Sequence, residues 1–301
     1  MKIVLTGSLG NIGKPLTRLL VEHGHNVTVI SSKEERVSEI KNLGAVAAIG
    51  GIQDLDFLTE TFKGADAVYL MEAWEGIGSL FDNKIDFLAG FKKIAQNYVT
   101  AVQQSGIKKI IHLSSVGAHS GQGNGSLLVH YHVEQILQTL AEDVSIKFMR
   151  PVGFFSNLYR SFLTIQSQGK IIQSYGGERK EPWVSPYDIA ATIADEMEKS
   201  FNGRTVHYIA SDEVSPNEIA AVLGQTIGNP DLKWKVIPAA ELLGQMLSAG
   251  INEWIAKGMV AMQMAQGDGS LYEDFYANKP TFGKVKLADF AREFAQIYTK
   301  K

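Results

Sequence analysis

Short apolar runs rich in β-branched residues alternate along the chain with longer segments in which apolar residues recur every three or four positions. The short runs are typical of buried β-strands, and the longer segments have the period of amphipathic helices. Because each short run is almost continuously apolar, the strands belong to a parallel sheet that is covered on both faces. We predict strands at residues 2–6, 26–31, 45–49, 67–71, 108–114 and 145–150.

Two of the intervening segments carry clear helical signals. Residues 11–23 place their apolar side chains on one face, and Gly24 follows; residues 82–105 repeat the pattern, and Gly106 follows. Glycine is the residue that most readily takes the left-handed conformation after a helix. Strand, helix and parallel strand form a right-handed crossover unit. The predicted fold class is therefore α/β, a Rossmann-type doubly wound parallel sheet.

A glycine-rich segment, Thr6-Gly7-Ser8-Leu9-Gly10-Asn11-Ile12-Gly13, joins the first predicted strand to the first predicted helix. Gly7 permits a tight turn, Gly10 removes a side chain that would block a pyrophosphate, and Gly13 lets the helix pack closely on the strand. The helix N-terminus offers free N–H groups and the positive end of its dipole. A glycine-rich turn without a ligand is the alternative, but the flanking strand and helix favour dinucleotide binding.

The second predicted strand ends at Ser31-Ser32-Lys33. A site for NAD(H) has an Asp or Glu at this point, which accepts hydrogen bonds from the ribose hydroxyls. Two hydroxyls and an ammonium group suit a 2′-phosphate instead, with Arg36 as a supporting cation, so the sequence predicts NADP(H) in preference to NAD(H). The alternative is that Ser31, Ser32 and Lys33 only cap the next helix.

The regular alternation of strands and helices ends after Arg150 and Pro151. We therefore predict an NAD(P)-binding Rossmann domain at residues 1–150 and a smaller, mostly helical substrate or lid domain at residues 151–301. A chain of 301 residues is long enough for this arrangement. Residues 186–210 have the pattern of one more helix and strand, which we expect to thread back into the main sheet.

Composition narrows the range of partners. The formal net charge is -3 and no long run of Lys and Arg is present, so nucleic acid is not an expected partner. The absence of cysteine excludes disulfides and thiolate chemistry, and no metal-site motif occurs. No stretch approaches the roughly 20 apolar residues that span a bilayer, and the first residues lack the features of a signal peptide. We expect a cytoplasmic protein that binds small molecules and no membrane.

Further motifs carry a family resemblance. The chain resembles the atypical short-chain dehydrogenases of the NmrA-like group, which includes NADPH-dependent quinone oxidoreductases. The resemblance spans most of the chain. It rests on the glycine loop and on Leu113-Ser114-Ser115-Val116-Gly117, His130-Tyr131-His132-Val133-Glu134, Met149-Arg150-Pro151-Val152-Gly153-Phe154-Phe155-Ser156-Asn157 and Trp183-Val184-Ser185-Pro186-Tyr187-Asp188-Ile189-Ala190.

The resemblance implies cofactor contacts at the carboxyl ends of the strands, which is where ligands bind in open parallel sheets. Met71 and Glu72 would line the dinucleotide groove. The nicotinamide would lie near Ser114, Pro151 and Phe154. The pyrophosphate would be held by Gly7, Leu9, Gly10, Asn11 and Ile12.

One departure from the wider family concerns catalysis. Ordinary short-chain dehydrogenases use Tyr-x-x-x-Lys, in which the lysine lowers the pKa of the tyrosine, whereas here Tyr131 is followed by Gln135. A neutral amide cannot stabilise a tyrosinate electrostatically, so Tyr131 is a poor acid–base catalyst near neutral pH. The sequence therefore disfavours carbonyl reduction by the standard route.

Reduction of a quinone asks less of the protein, because the hydroquinone anion takes its proton from water or from any nearby donor. His130 or His132 is a candidate donor, so the candidate catalytic residues are His130, Tyr131 and His132. The alternative is that both histidines lie near a helix N-terminus for structural reasons. Phe154 and Phe155 are predicted to stack on a flat acceptor, with Asn157 as a further substrate residue.

Two functions fit these observations. The first is an oxidoreductase that transfers hydride from NADPH to a quinone or a similar planar, conjugated acceptor. The second is a non-catalytic redox sensor, which reads the NADP(H) state and passes it to a protein partner. The aromatic segment 151–157 favours the reductase, and the missing Tyr-x-x-x-Lys pair favours the sensor.

Overall fold

A parallel sheet of seven strands forms the centre of the molecule in a computed structural model, which describes residues 1–299. With strands numbered along the chain, the order is β3-β2-β1-β4-β5-β6-β10, and every neighbouring pair is parallel. Its strands are β1 Lys2–Leu5, β2 Asn26–Ser31, β3 Val46–Ile49, β4 Ala67–Leu70, β5 Lys109–Leu113, β6 Ser145–Pro151 and β10 Arg204–Ile209. The six predicted strands are confirmed to within one residue at each end.

Helices cover both faces of this sheet. One face packs against α1 and α7 through residues such as Leu16, Leu20 and Ile193, and the other packs against α3, α4 and α5 through residues such as Phe62 and Tyr98. The doubly wound Rossmann class is therefore confirmed. The helices of this part are α1 Gly13–Glu22, α2 Val37–Asn42, α3 Leu55–Phe62, α4 Phe87–Ser105, α5 Leu128–Leu137 and α7 Pro186–Glu198.

The strand order reverses between β1 and β4, which are neighbours in the sheet although β2 and β3 lie between them in the chain. At such a switch point the connections leave on opposite faces of the sheet and open a crevice beyond the carboxyl ends of the strands. The segment after β1 is the glycine loop. The fold therefore places the predicted cofactor residues at the crevice.

The C-terminal part of the chain has a core of its own. Aromatic side chains fill it, among them Phe155, Phe162, Phe290 and Phe294. Two small sheets, β7-β9-β11 and β8-β12, accompany the helices there. The bounds are β7 Gly153–Phe154, β8 Lys170–Gln173, β9 Glu181–Val184, β11 Asp212–Val214, β12 Lys233–Val236, α6 Phe162–Gln168, α8 Pro216–Thr226, α9 Ala239–Ser248, α10 Glu253–Asp268, α11 Glu273–Ala277 and α12 Leu287–Tyr298.

Strand β10 comes from this later part of the chain but pairs with β6 in the main sheet. The division into residues 1–150 and 151–301 stays a prediction, and Lys300 and Lys301 of the second range lie outside the described residues. Among the residues described, no helix is both long and apolar enough to cross a membrane.

Several helix ends differ from the sequence prediction. The first helix begins at Gly13 rather than at residue 11, so Asn11 and Ile12 belong to the loop. The helix predicted at 82–105 begins at Phe87, because the Asp86 carboxylate accepts a hydrogen bond from the Ala89 amide and caps it.

Candidate functional site

The glycine loop after β1 is held in a conformation that needs glycine. A Cβ atom on Gly7, where φ is +85°, would lie 2.0 Å from Sδ of Met71, and one on Gly13 would lie 2.0 Å from the carbonyl oxygen of Ser8. Ser8 itself has a φ of 54°, in the left-handed region. Gly10 is exposed, and the nearest atom to such a Cβ is the Gly7 carbonyl oxygen at 3.6 Å, an ordinary van der Waals distance, so packing within the protein does not require glycine there.

The N-terminus of α1 has no side-chain cap. The N–H of Lys14 donates to the Gly10 carbonyl and Pro15 has no N–H, so the N–H groups at this end without a partner in the described part of the chain are those of Asn11, Ile12 and Gly13. Together with the helix dipole they form a site suited to an anion. Leu9 and Ile12 are buried in the core, so of the predicted pyrophosphate residues these two can contribute only backbone. The uncapped helix end and the exposed Gly10, which has no side chain to exclude a ligand, fit the pyrophosphate of a dinucleotide.

The residues that follow β2 divide into two groups. Ser31 is buried, and its hydroxyl accepts hydrogen bonds from the hydroxyl of Ser8 at 2.9 Å and from the amide of Lys33 at 3.2 Å. Ser32 and the side chain of Lys33 are exposed. Ser31 therefore fixes the local backbone, whereas Ser32 and Lys33 face outward, where a ribose 2′-phosphate can reach them.

A cluster of charged side chains lies beside the loop, of which the sequence interpretation named Arg36 but missed Lys14 and Glu39. The carboxylate of Glu39 accepts hydrogen bonds from Nζ of Lys14 at 2.8 Å and from Nη1 of Arg36 at 2.5 Å. The hydrogen bonds from Lys14 and then Arg36 lower the pKa of Glu39 below its ordinary value. Lys14 lies on α1 and Arg36 on the turn before α2, so only the tertiary structure brings the two cations together.

A cleft of about 410 Å³ opens next to these cations. Leu9 and Asn11 of the glycine loop line one side, and Tyr187 and Phe290 of the C-terminal part line the other. Lys14, Arg18 and Arg36 outnumber the one acidic lining residue, Glu293, and give the cleft a positive character, which suits a phosphate-bearing ligand.

Met71 and Glu72 follow β4, the strand that neighbours β1 on the other side of the switch point. The Met71 side chain packs against Gly7, and its backbone carbonyl accepts a hydrogen bond from the Tyr98 hydroxyl at 2.6 Å. Glu72 is buried and its Oε2 is 3.2 Å from Nε2 of His112, while its Oε1 has no partner. Met71 therefore borders the loop, and Glu72 belongs to a buried polar pair beneath it.

Ser114 follows β5 and is 3% exposed. Its hydroxyl donates a hydrogen bond of 2.5 Å to Oε1 of Glu134, which lies on α5. The same carboxylate accepts two hydrogen bonds from Arg150 on β6. The sequence named Ser114 as a site residue but gave no sign of this network, because its members meet only in the folded chain.

The three candidate catalytic residues lie on α5. Burial lowers the pKa of His130 to about 4, so this imidazole is neutral near pH 7, and its Nδ1 has no partner. Burial, and then the charge of Lys92, also lowers the pKa of His132. The Tyr131 ring contacts the His132 ring. Gln135, at the position that is lysine in ordinary short-chain dehydrogenases, is exposed.

The segment after β6 supplies the predicted acceptor side. Phe154 is half-buried, and Asn157 is exposed. Phe155 is fully buried, and its ring stacks on Trp183 and on Phe290, with ring centroids 5.8 and 5.1 Å apart. Both ring faces have protein neighbours, so Phe155 supports the core behind the cleft, and its position does not support the predicted acceptor contact.

Comparison with known proteins identifies the family. Residues 7–200 match the family model described as NAD(P)H-binding, and the chain belongs to this family. The resemblance to the NmrA-like group is thereby confirmed. Among curated proteins, the Photosystem II assembly factor Ycf39 of Synechocystis is 25% identical over 231 residues, covering 76% of this chain and 68% of the relative.

Solved structures share the fold over nearly the whole chain. The NADPH-dependent quinone oxidoreductase QOR2 of Escherichia coli, in complex with NADPH, has a TM-score of 0.79 at 18% identity, covering 97% of this chain and 99% of that one. The triphenylmethane reductase of Citrobacter, in complex with NADP(H), has a TM-score of 0.76 at 17% identity, covering 98% and 100%. The fold is thus one that accommodates NADP(H)-dependent reductases.

Proposed function

We propose that the protein is a cytoplasmic, NADPH-dependent reductase whose acceptor is a quinone or a similar planar, conjugated molecule. The observation that carries the proposal is the uncapped N-terminus of α1 at the glycine loop, opening next to the basic cleft. This arrangement binds phosphates through backbone N–H groups. Solved structures of the same fold hold NADPH, which supports the choice of cofactor.

When bound, NADPH supplies the hydride, and the protein supplies binding, orientation and electrostatics. In this proposal the N–H groups at Asn11 to Gly13 bind the pyrophosphate. Ser32, Lys33 and Arg36 bind the 2′-phosphate by charge-assisted hydrogen bonds. The absence of an acid at the end of β2 favours NADPH over NADH.

On the acceptor side, the half-buried Phe154 belongs to the segment that follows β6 and offers an aromatic face to a flat acceptor. The proton needed by the reduced acceptor does not come from a tyrosine–lysine pair, because Gln135 occupies the lysine position. Both histidines are half-buried, and burial lowers the pKa of each below the ordinary value for a histidine. We propose that the proton reaches the acceptor from water or from one of these two histidines.

The oxidation of NADPH and NADH with a panel of quinones and a panel of saturated ketones tests this function. We expect acceptor-dependent oxidation with quinones, a preference for NADPH and little reaction with the ketones. The variants His130→Gln and His132→Gln separate the proton sources. Turnover should fall in the variant that removes the donor while NADPH affinity stays constant, and unchanged turnover in both variants would leave water as the donor.

A non-catalytic NADP(H) sensor is the second candidate. The exposed Gln135 in place of a catalytic lysine favours it, and so does the existence of a relative that is named as an assembly factor. A sensor has two conformations, and NADPH and NADP⁺ must differ in which conformation they prefer. A ligand shifts the balance between two conformations only if it binds one of them more tightly than the other. Tight NADPH binding without turnover, together with a conformational change specific to one redox form, would support this candidate over the reductase.

A further inference from the structure

The guanidinium group of Arg150 connects four elements of the fold. On one side its Nε and Nη2 donate hydrogen bonds of 2.9 and 2.6 Å to the two carboxylate oxygens of Glu134. On the other side Nη1 contacts the hydroxyl of Tyr208 at 3.3 Å and a carboxylate oxygen of Asp274 at 3.4 Å. Arg150 lies on β6, Glu134 on α5, Tyr208 on β10 and Asp274 on α11.

This two-point contact holds Glu134 in one orientation. A planar guanidinium that grips both oxygens of a carboxylate fixes its angle as well as its distance. Glu134 is 1% exposed and Arg150 is 7% exposed, so water does not compete for the contact. Burial is the largest single influence and lowers the pKa of Arg150, but the hydrogen bonds that Arg150 donates to Glu134, the charge of Glu134 and the contact with Tyr208 together outweigh it and raise the pKa of the guanidinium above its ordinary value.

The orientation of Glu134 decides what Ser114 can do. A carboxylate accepts hydrogen bonds and has none to donate, so the 2.5 Å contact places the Ser114 proton on the side of Glu134. The hydroxyl oxygen then has only lone pairs left for a ligand. Ser114 is thereby set as a hydrogen-bond acceptor and not as a proton donor.

We propose that Glu134 and Arg150 are positioning residues, which hold the Ser114 hydroxyl as an acceptor for the carboxamide N–H of the nicotinamide. The inference rests on the proposed function, in which NADPH lies over the carboxyl ends of β5 and β6. A carboxamide has two N–H donors, and a hydroxyl whose proton is committed elsewhere is a suitable partner. The network therefore acts on the nicotinamide end of the cofactor and leaves the adenosine end unaffected.

A second buried ion pair offers a matched control. Lys147 also lies on β6, and its Nζ is 2.9 Å from Oε2 of Glu196 on α7. Both residues are less than a tenth exposed, as are Glu134 and Arg150. Because Lys147 points to α7 and has no contact with Ser114 or Glu134, Glu196→Gln breaks a comparable buried pair without touching the network.

The test compares the binding of NADPH with that of adenosine 2′,5′-bisphosphate, which carries the 2′-phosphate but no nicotinamide. In Glu134→Gln and in Ser114→Ala we expect the dissociation constant of NADPH to rise about tenfold, the loss of one hydrogen bond. The constant for the bisphosphate should stay unchanged. The double variant should bind NADPH about as weakly as either single variant, because both substitutions break the same contact. Glu196→Gln should leave both constants as in the wild type.

If Glu134→Gln does not fold, Arg150→Lys serves in its place, because a lysine keeps the charge but loses the two-point contact. An unchanged ratio of the two dissociation constants in Glu134→Gln or Arg150→Lys would overturn the positioning role. If the wild type binds both ligands but the substitutions leave the ratio of the two dissociation constants unchanged, only the positioning role of Glu134 and Arg150 is refuted. If the wild type binds neither ligand, the proposed function fails with it.

Discussion

Ser8 donates a hydrogen bond to Ser31, Oγ to Oγ, over 2.9 Å. The contact joins the glycine loop after β1 to the end of β2, and Ser31 also accepts a hydrogen bond from the Lys33 amide. One buried hydroxyl thus fixes the proposed 2′-phosphate segment relative to the proposed pyrophosphate loop. Ser31 was predicted as a ligand residue; because its hydroxyl is buried, we expect it to affect cofactor binding only through Ser8 and Lys33.

The substitution Ser31→Ala removes these hydrogen bonds and leaves the Lys33 amide without this partner. We expect the free energy of unfolding to fall by about 1–2 kcal/mol, and the affinity for NADPH to fall more than that for NADH. Urea denaturation and cofactor titration measure the two effects. The exposed Ser32→Ala is the control for stability, with an expected change within about 0.5 kcal/mol. Equal stability of Ser31→Ala and the wild type would contradict the structural role.

Glu39 accepts hydrogen bonds from two cations beside the glycine loop, Lys14 and Arg36, and Arg36 is one of the proposed ligands of the 2′-phosphate. The substitution Glu39→Gln releases Lys14 and Arg36 from a competing carboxylate. We expect the dissociation constant of NADPH to fall about threefold to fivefold, a typical size for an exposed charge interaction, and that of NADH to stay constant. The difference should shrink at high salt.

The control for this prediction is Glu60→Gln. Glu60 lies on α3 and forms a surface ion pair with Lys63, which follows the end of that helix. It should change neither dissociation constant. A Glu39→Gln variant that binds NADPH as the wild type does would show that the two cations do not contribute to the 2′-phosphate site.

The close approach at Gly13 predicts a strong effect of a single methyl group. In Gly13→Ala the new Cβ would meet the Ser8 carbonyl at 2.0 Å, so the loop must shift. We expect a loss of about 1–3 kcal/mol in the free energy of unfolding, the usual cost of overpacking, and a large loss of NADPH affinity.

Gly244→Ala is the matched control, because Gly244 lies inside α9 and a Cβ there meets nothing within 4 Å. This variant should gain about 0.5–1 kcal/mol, since alanine is the better helix former. Thermal unfolding and fluorescence titration of NADPH measure both variants. Normal NADPH affinity in Gly13→Ala would refute the proposed loop geometry.

Glu181 predicts an unusual dependence of stability on pH. The carboxyl group is 2% exposed, and burial raises its pKa from 4.5 to about 8, against the smaller opposing effects of Tyr175 and Arg179. Because the folded state binds this proton more tightly than the unfolded chain, its contribution to stability is complete below pH 4.5 and is lost as the pH rises through 8.

The variant Glu181→Gln cannot lose a proton, so its stability should fall less than that of the wild type between pH 5.5 and 8.5. Denaturation curves across this range measure the difference. Glu142→Gln, at an exposed position, should follow the wild-type curve. Parallel curves for Glu181→Gln and the wild type would refute the raised pKa.

The central sheet could be predicted because each strand is set by local sequence. A run such as Ala67–Leu70 is apolar throughout, and the fold buries all of it. The glycine loop was recognisable for the same reason, since Gly7, Gly10 and Gly13 stand at fixed places between a strand and a helix. Local pattern therefore determined both the fold class and the start of the site.

Features that depend on contacts distant in sequence could not be predicted. Lys14 and Glu39 are close only because α1 and α2 pack beside the same loop, and Asp274 reaches Arg150 across more than a hundred residues. Phe155 was predicted to meet an acceptor, but Trp183 and Phe290 cover it from other elements. The helical pattern of residues 239–266 runs without a break, but Gly250 has a φ of +81° and the Asn252 side chain caps a new helix, so the structure divides this stretch into α9 and α10.

The most direct test of the account is a single-turnover experiment. Protein loaded with NADPH is mixed with a quinone in the absence of oxygen, and the nicotinamide absorbance is followed. We predict that the absorbance falls at a rate that saturates with quinone concentration and that slows when the transferred hydrogen is replaced by deuterium. NADPH that stays bound and unoxidised at every quinone concentration would contradict the proposed reductase.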